Sequence, residues 1–238
     1  MRGECGAYFM IHNFFMPIPT INELIQTGAQ YGHGKTRVHP KFKPFIDGLK
    51  NNIYTINLEK TIERILQAIP ILKEIRAKKG LILFVGTKPV AKSIARNYAK
   101  QMEMPSVTGR WLVGTLTNFD TIKKLIIKFK SMKRENEGGE WEKYTKKERL
   151  MKMREMTRIE KKISGMETLE KMPDILFIID THRESTALRE AKRMKIKIAG
   201  IVDADGNPDE IDYPIPANDE SRKTIELILK TIAEETKP

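Results

Sequence analysis

Apolar residues along this chain recur with two different periods. Leu58, Ile62, Ile65, Leu66, Ile69 and Leu72 fall at three- and four-residue spacing, the stripe of an amphipathic helix beginning at Asn57. Val90, Ala91, Ile94, Tyr98 and Met102 repeat that stripe, as do Ala187, Leu188, Ala191 and Met194. Between the helices lie short runs that are apolar throughout: LILFVG from Leu81, ILFIID from Ile175 and IAGIV from Ile198. Such runs fit parallel strands covered on both faces. NIYTIN, from Asn52, also reads as a strand. Strands alternating with helices predict an α/β fold, a Rossmann-like (flavodoxin-like) parallel sheet flanked by helices with right-handed crossovers.

Local signals set several boundaries. Thr20 and Glu23 form a capping box, opening a short helix that ends near Gly28. The basic stretch YGHGKTRVHPKFKP, from Tyr31, reads as a loop. Pro70 is expected to kink its helix by removing an interior hydrogen bond. Asn218, followed by Asp219 and Glu220, is expected to open the last helix.

The alternation breaks over residues 119–172. That segment has no strand-like run, about half its residues are charged, and Lys and Arg outnumber acids. Ile122, Leu125, Ile126, Phe129 and Met132 follow helical spacing, as do Leu150, Met153, Thr157 and Ile163. ENEGGEW separates the two patterns, and Thr145 with Glu148 caps the second. The pattern predicts a helical hairpin of coiled-coil character whose two seams bury mostly each other. On that reading 18–118 and 173–238 form one discontinuous α/β domain, and excising 119–172 should leave it folded. RWLVGTLTN, from Arg110, is the expected hinge. Trp111 and Leu112 pack at its base, Gly114 turns the chain, and Thr117 or Asn118 caps the following helix.

Charge narrows the function. The 238 residues carry a formal net charge of +12, which calls for a polyanionic partner, most commonly nucleic acid. Cys5 is the single cysteine, so neither a disulfide framework nor a cysteine zinc site is available, which suits a reducing cytosol. No apolar run approaches the ~18 residues of a membrane span, and Glu4, His12 and Asn13 interrupt the opening stretch enough to make it a poor signal peptide.

Three groups of residues could carry chemistry. Gly86, Thr87 and Lys88 lie between a strand and a helix N-terminus, a place where phosphates bind, yet neither G-x-x-x-x-G-K-[ST] nor G-x-G-x-x-G is present. Thr87 therefore reads as a helix cap, and a nucleotide- or sugar-phosphate-handling enzyme is the rival function. Asp180 and His182 follow one buried strand, and Asp203 and Asp205 follow the next. Together they could hold a divalent metal such as zinc, or simply cap helices and turns. The basic stretch presents Lys35, Arg37, Lys41 and Lys43 around His33 and His39, whose spacing is no zinc signature. Such residues can approach phosphates, with Tyr31 and Phe42 stacking or packing beside them. No nucleophile–base pair is identifiable, so no catalytic residue, required cofactor or small-molecule substrate is expected.

The segments GAQYGHGKTRVHPKFKPFIDGLKNNIYTINLEKT, ILFVGTK, RWLVGTLTNFDTI, MPDILFIID and IVDADGNPDEIDYPIPANDES occur in an order and spacing that resemble the bacterial-type ribosomal protein S-2 family of the small subunit. The resemblance runs from about Ile18 to Glu235. It implies a Rossmann-like domain with an inserted coiled-coil hairpin and no enzymatic activity. It also implies a cytoplasmic (or organellar) ribosomal role: binding small-subunit ribosomal RNA beside other small-subunit proteins, and helping to attach the mRNA-recruiting protein S-1. The RNA contacts expected are Lys35, Arg37, Lys41, Lys43 and Arg110, with Lys123, Lys124, Lys128, Lys130, Lys146 and Lys147 on the hairpin. Val113 stands where the family has a second glycine and Ala217 where PGND is usual. Residues 1–17 read as an N-terminal extension, with translation expected to begin at Met16.

Overall fold

Helix α1 (Ile21–Thr27) begins at the capping box of Thr20 and Glu23 and ends at Gly28 in the left-handed conformation, φ 80°. The computed structural model describes residues 18–237, so the expectations for the extension and its start at Met16 lie outside the described residues. After α1 the chain forms a small antiparallel sheet of β1 (Tyr31–Gly34), β2 (Ile46–Lys50) and β3 (Ile53–Ile56), ordered β1-β3-β2. The stretch expected as a loop therefore supplies a strand, followed by 3-10 turns at Lys35–Arg37 and Pro40–Phe45. Asn51 and Asn52 join β2 to β3 with φ of 49° and 64°. Two consecutive positive φ values suit a tight hairpin, and asparagine tolerates them.

Helix α2 (Leu58–Ala77) starts at Asn57, whose side chain accepts from the Lys60 N–H. The helix continues past Pro70, which lies at an exposed position. Then follow β4 (Ile82–Val85), α3 (Pro89–Gln101), β5 (Ser106–Val107), α4 (Phe119–Glu137), α5 (Lys146–Ile163), β6 (Ile175–Ile179), α6 (Ser185–Arg193), β7 (Lys197–Val202), β8 (Tyr213–Pro216) and α7 (Arg222–Glu235). The five later strands form one parallel sheet in the order β5-β4-β6-β7-β8, the flavodoxin-like arrangement. Pro214 and Pro216 lie on β8, an edge strand, where a missing N–H costs no ladder bond. Helix α7 begins at Arg222 with Ser221 as its cap, rather than at Asn218. Asn218 instead turns the approach, its Oδ1 accepting from the Glu220 N–H at 2.8 Å.

Alternate strand residues serve opposite faces. Ile82, Phe84, Ile175, Phe177, Ile179 and Ile201 pack with α2, α3 and α7, while Leu83, Val85, Leu176, Ile178, Ile198 and Val202 pack with α6 and the loops above it. The second layer does not stop at the sheet. One continuous apolar cluster runs from Leu83 and Leu176 through Ile163, Ile159 and Ile126 to Trp141, near the far end of the inserted hairpin.

The hairpin itself forms from α4 and α5, the latter capped by Thr145 and Glu148. On α4, Ile122, Ile126, Phe129 and Met132 are buried as the spacing predicts. On α5 the inward stripe is different. Ile159 and Ile163 are buried with Met156 packed beside them, while Leu150 and Met153 are 50% and 44% exposed. The insert also returns beneath the sheet, where Ile163, Met166 and Leu169 are 0–1% exposed. The two hairpin helices pack chiefly on each other and on the turn that joins them, while the segment from Ile163 to Leu169 belongs to the domain core. Each fully buried aliphatic side chain is worth about 1.5–3 kcal/mol. Excising 119–172 is accordingly expected to abolish the cooperative melt, whereas replacing only 131–154 with a short loop should preserve it; circular dichroism melts of both deletions distinguish the two.

Candidate nucleic-acid interface

The basic stretch before β2 is held in place from below. Phe42 and Phe45 are 0% and 7% exposed, their rings 5.6 Å apart, so Phe42 packs rather than stacks on a ligand. The His39 N–H donates to the Ala204 carbonyl at 2.8 Å, tying the stretch to the loop after β7. Gly32 permits this approach, because a Cβ there would meet both the Ala204 Cβ and the Tyr54 carbonyl at 3.1 Å. On this platform Lys35, Arg37 and Lys43 are exposed and form no ion pair among the described residues, whereas Lys41 is bonded to Asp209 at 2.7 Å. The same division holds elsewhere. Arg110, Lys123, Lys124, Lys146 and Lys147 project into solvent without an acidic partner among the described residues; Lys128 pairs with Glu155 and Lys130 with Glu170.

At the carboxyl ends of the central strands, buried charges pair with one another. Lys88 Nζ lies 2.6 Å from Asp219, 2.9 Å from Glu220 and 3.3 Å from Asp180. Asp180 ends β6 with φ 66°, and its Oδ1 accepts from the Arg183 N–H at 2.8 Å. Burial, with Asp180 and Asp203 nearby, pushes the Asp219 carboxyl upward, and Lys88 opposes that rise. Thr87 is not the cap of α3. Its N–H and hydroxyl both donate to Glu184, and Lys88 occupies the cap position without a side-chain bond to the helix N-terminus.

His33 brings the small sheet into this network. Its Nδ1 lies 3.3 Å from Asp203, which is 1% exposed, and its Nε2 lies 3.8 Å from Asp205. The Asp203 carboxylate is the main cause raising the His33 pKa from 6.5 to about 9. The four residues expected to share a metal are therefore divided. Asp203 and Asp205 face His33, Asp180 faces Lys88, and His182 is exposed. Among the described residues, no group of three or more His, Cys, Asp or Glu has metal-holding geometry.

One functional-looking residue escaped the sequence reading. Glu190, 8% exposed on α6, accepts hydrogen bonds from the Trp111 indole N–H (3.1 Å) and from the N–H groups of Gly114 (2.8 Å), Leu116 (3.0 Å) and Thr117 (3.3 Å). Burial alone would raise its pKa, but these donors outweigh it and hold the carboxyl below its usual range. Gly114 adopts φ 92°, the left-handed conformation that turns its N–H inward. The stretch expected as a hinge is thus clamped just before α4. Asn118 is the N-cap of α4, but its side chain makes no capping bond. The available signal was a lone carboxylate on the apolar stripe of Ala187, Leu188 and Ala191.

A model of the family described as Ribosomal protein S2 matches residues 24–237. The chain belongs to this family. It is 40% identical over 218 residues to a protein of Tolumonas auensis named small ribosomal subunit protein uS2, covering 92% of this chain and 90% of the relative. Proteins with the same name from Nitratiruptor sp. and Buchnera aphidicola are 41% and 40% identical, over 90% and 91% of this chain and 80% and 89% of theirs. Both departures from the family pattern are accommodated. Val113 is 85% exposed, and Ala217 buries its methyl fully against the α7 side of the sheet; neither backbone has positive φ.

Glu190→Gln replaces an acceptor-only group with an amide whose NH2 must face N–H donors. It is expected to lower stability by about 2–3 kcal/mol, the scale of hydrogen bonds to a charged group, read from urea unfolding followed by Trp fluorescence. His33 makes a separate prediction. Its folded pKa is raised, so its contribution is fully present below pH 6.5 and lost as pH rises through about 9. Melting temperature should fall across that window, and His33→Gln should remove part of the fall.

Proposed function

We propose that this chain is a structural component of the small ribosomal subunit in the bacterial or organellar translation apparatus, binding small-subunit ribosomal RNA among neighbouring ribosomal proteins. The observation that carries this reading is the family match across nearly the whole described chain. The exposed Lys and Arg side chains without acidic partners give it a physical basis, since they are free to neutralise phosphates. Lys35, Arg37 and Lys43 form one contact region, and Arg110 with Lys123, Lys124, Lys146 and Lys147 follows the hairpin. Lys41, Lys128 and Lys130 contribute less because each is already paired. Help in attaching protein S-1, where one is present, follows from the family resemblance. A place in the cytoplasm accords with these relatives, and no described helix is long and apolar enough to cross a membrane.

The rival reading, an enzyme acting on a phosphorylated ligand, needs an open crevice at the β4–β6 switch point. Ligands bind there in sheets of this topology. Lys88 is the cation such a ligand would use, and three carboxylates already surround it. A non-enzymatic role fits this arrangement better.

Co-sedimentation of the tagged protein with small subunits in a sucrose gradient tests the reading directly, and a pool confined to the top of the gradient contradicts it. RNA affinity provides a finer check. The log of affinity should fall linearly with log salt, by ~0.7–0.9 per phosphate contact. Reversing Lys35, Arg37 and Lys43 together should flatten the slope by roughly 2–3, while Lys41→Glu alone should change it little.

A further inference from the structure

The register adopted by α5 leaves Leu150, Met151 and Met153 outside the hairpin seam. Leu150 and Met153 stand one turn apart on the open side of the helix, and with Trp141 they line a cleft of about 570 Å³ at the far end of the hairpin. Trp141 is 4% exposed, with the Lys152 ammonium 5.6 Å from its ring and its indole N–H donated to Glu135, so it forms the floor of the cleft beneath Leu150 and Met153. Lys146 and Arg149 also line the cleft, neither engaged in an ion pair among the described residues. Two exposed polar side chains complete it: the Asn136 amide and the Glu142 carboxylate.

We propose that this cleft receives a single unpaired nucleotide of RNA, with the base against Leu150, Met153 and Trp141 and its phosphates at Lys146 and Arg149. The proposal rests on the RNA-binding reading above and specifies what the hairpin end recognises. Base-paired RNA hides its base faces and is bound through shape, 2′-hydroxyls and phosphates, whereas loops and bulges present faces that apolar surface can cover. An apolar cleft on a basic rim matches that second kind of target. The charge pattern favours RNA over an acidic protein segment. Beyond the rim, Arg154, Arg158 and Lys162 recur every four residues on the exposed side of α5, ~6 Å apart along its axis. A regular row of cations follows a phosphate chain. Glu142 can only accept hydrogen bonds, and each of the four bases carries an N–H donor on its Watson–Crick edge, so it orients the base without choosing among them. The larger face of a purine covers more of the apolar surface, so adenine is preferred over uracil at this position.

The test uses the full chain and three labelled probes: a single-stranded oligo(A), an oligo(U) of equal length, and an RNA duplex. The double variant Leu150→Ser/Met153→Ser removes apolar surface without changing charge, and both positions are exposed enough that folding should persist, as a melt would verify. Expected are tighter binding of oligo(A) than oligo(U), and a loss of about tenfold in oligo(A) affinity in the variant, within the range measured for single stacked bases. Duplex affinity and the salt slope should stay unchanged, while Lys146→Glu/Arg149→Glu should flatten the slope. Unchanged oligo(A) affinity in the serine variant overturns the cleft proposal but leaves ribosomal RNA binding intact so long as the duplex is still bound. If the wild type binds none of the three probes, the RNA-binding reading fails and this inference fails with it. If the serines spare RNA but abolish binding of an acidic amphipathic peptide, the occupant is a protein and the proposal is wrong.

Discussion

The Glu190 carboxylate fixes where the inserted hairpin leaves the α/β domain. Four N–H groups from Trp111 to Thr117 converge on it, so a stretch of otherwise irregular backbone has its donors satisfied away from water. The bonds also place a negative charge close to the N-terminus of α4, where the helix dipole favours it. Because Glu190 is carried on α6, the direction of the hairpin is referred to the sheet through α6 and to the core through Trp111. Fixing that direction also fixes where the cations of the hairpin stand relative to the domain that carries Lys35, Arg37 and Lys43.

A second constraint acts at the carboxyl ends of the strands. Removing Lys88, Asp180, Asp203 and Asp219 from water is costly, and the arrangement persists only because each charge meets an opposite charge or a hydrogen-bond donor. His33 supplies positive charge from the small sheet, so docking that sheet and neutralising Asp203 are one event. The crevice that other proteins of this topology open to a ligand is here used to attach the platform for Lys35, Arg37 and Lys43.

Elements whose identity depends on local sequence were legible. The buried runs became β4, β6 and β7, and both capping boxes formed, because each signal is contained within a few residues. What was missed depends on partners distant in the chain. Strands β1 and β2 are short and partly exposed; β2 pairs with β3 through the Asn51–Asn52 turn, a local signal, whereas β1 reaches β3 from the far side of the 35–45 connection. The α5 stripe was misassigned because Leu150, Met153 and Thr157 match helical spacing as well as the residues that face α4; only the partner helix decides between them. Among the site residues, exposure could be read from charge, but the pairing of Lys41 with Asp209 and the division of Asp180, Asp203 and Asp205 between two cations needed the fold.

The central pair β4 and β6 has a consequence for the order in which the chain can fold. Leu81 donates to Asp174, its neighbour across the sheet but 93 positions away, and the whole hairpin intervenes. Sheet closure must therefore wait until the insert has left the ribosome that is synthesising it. Contacts between α4 and α5 are more local, so they can form earlier and draw the two ends of the intervening chain together. That shortens the effective loop and lowers its closure entropy, which grows by about 0.6 kcal/mol per doubling of length. The hairpin is then a folding aid for the sheet before it is a contact surface for anything else.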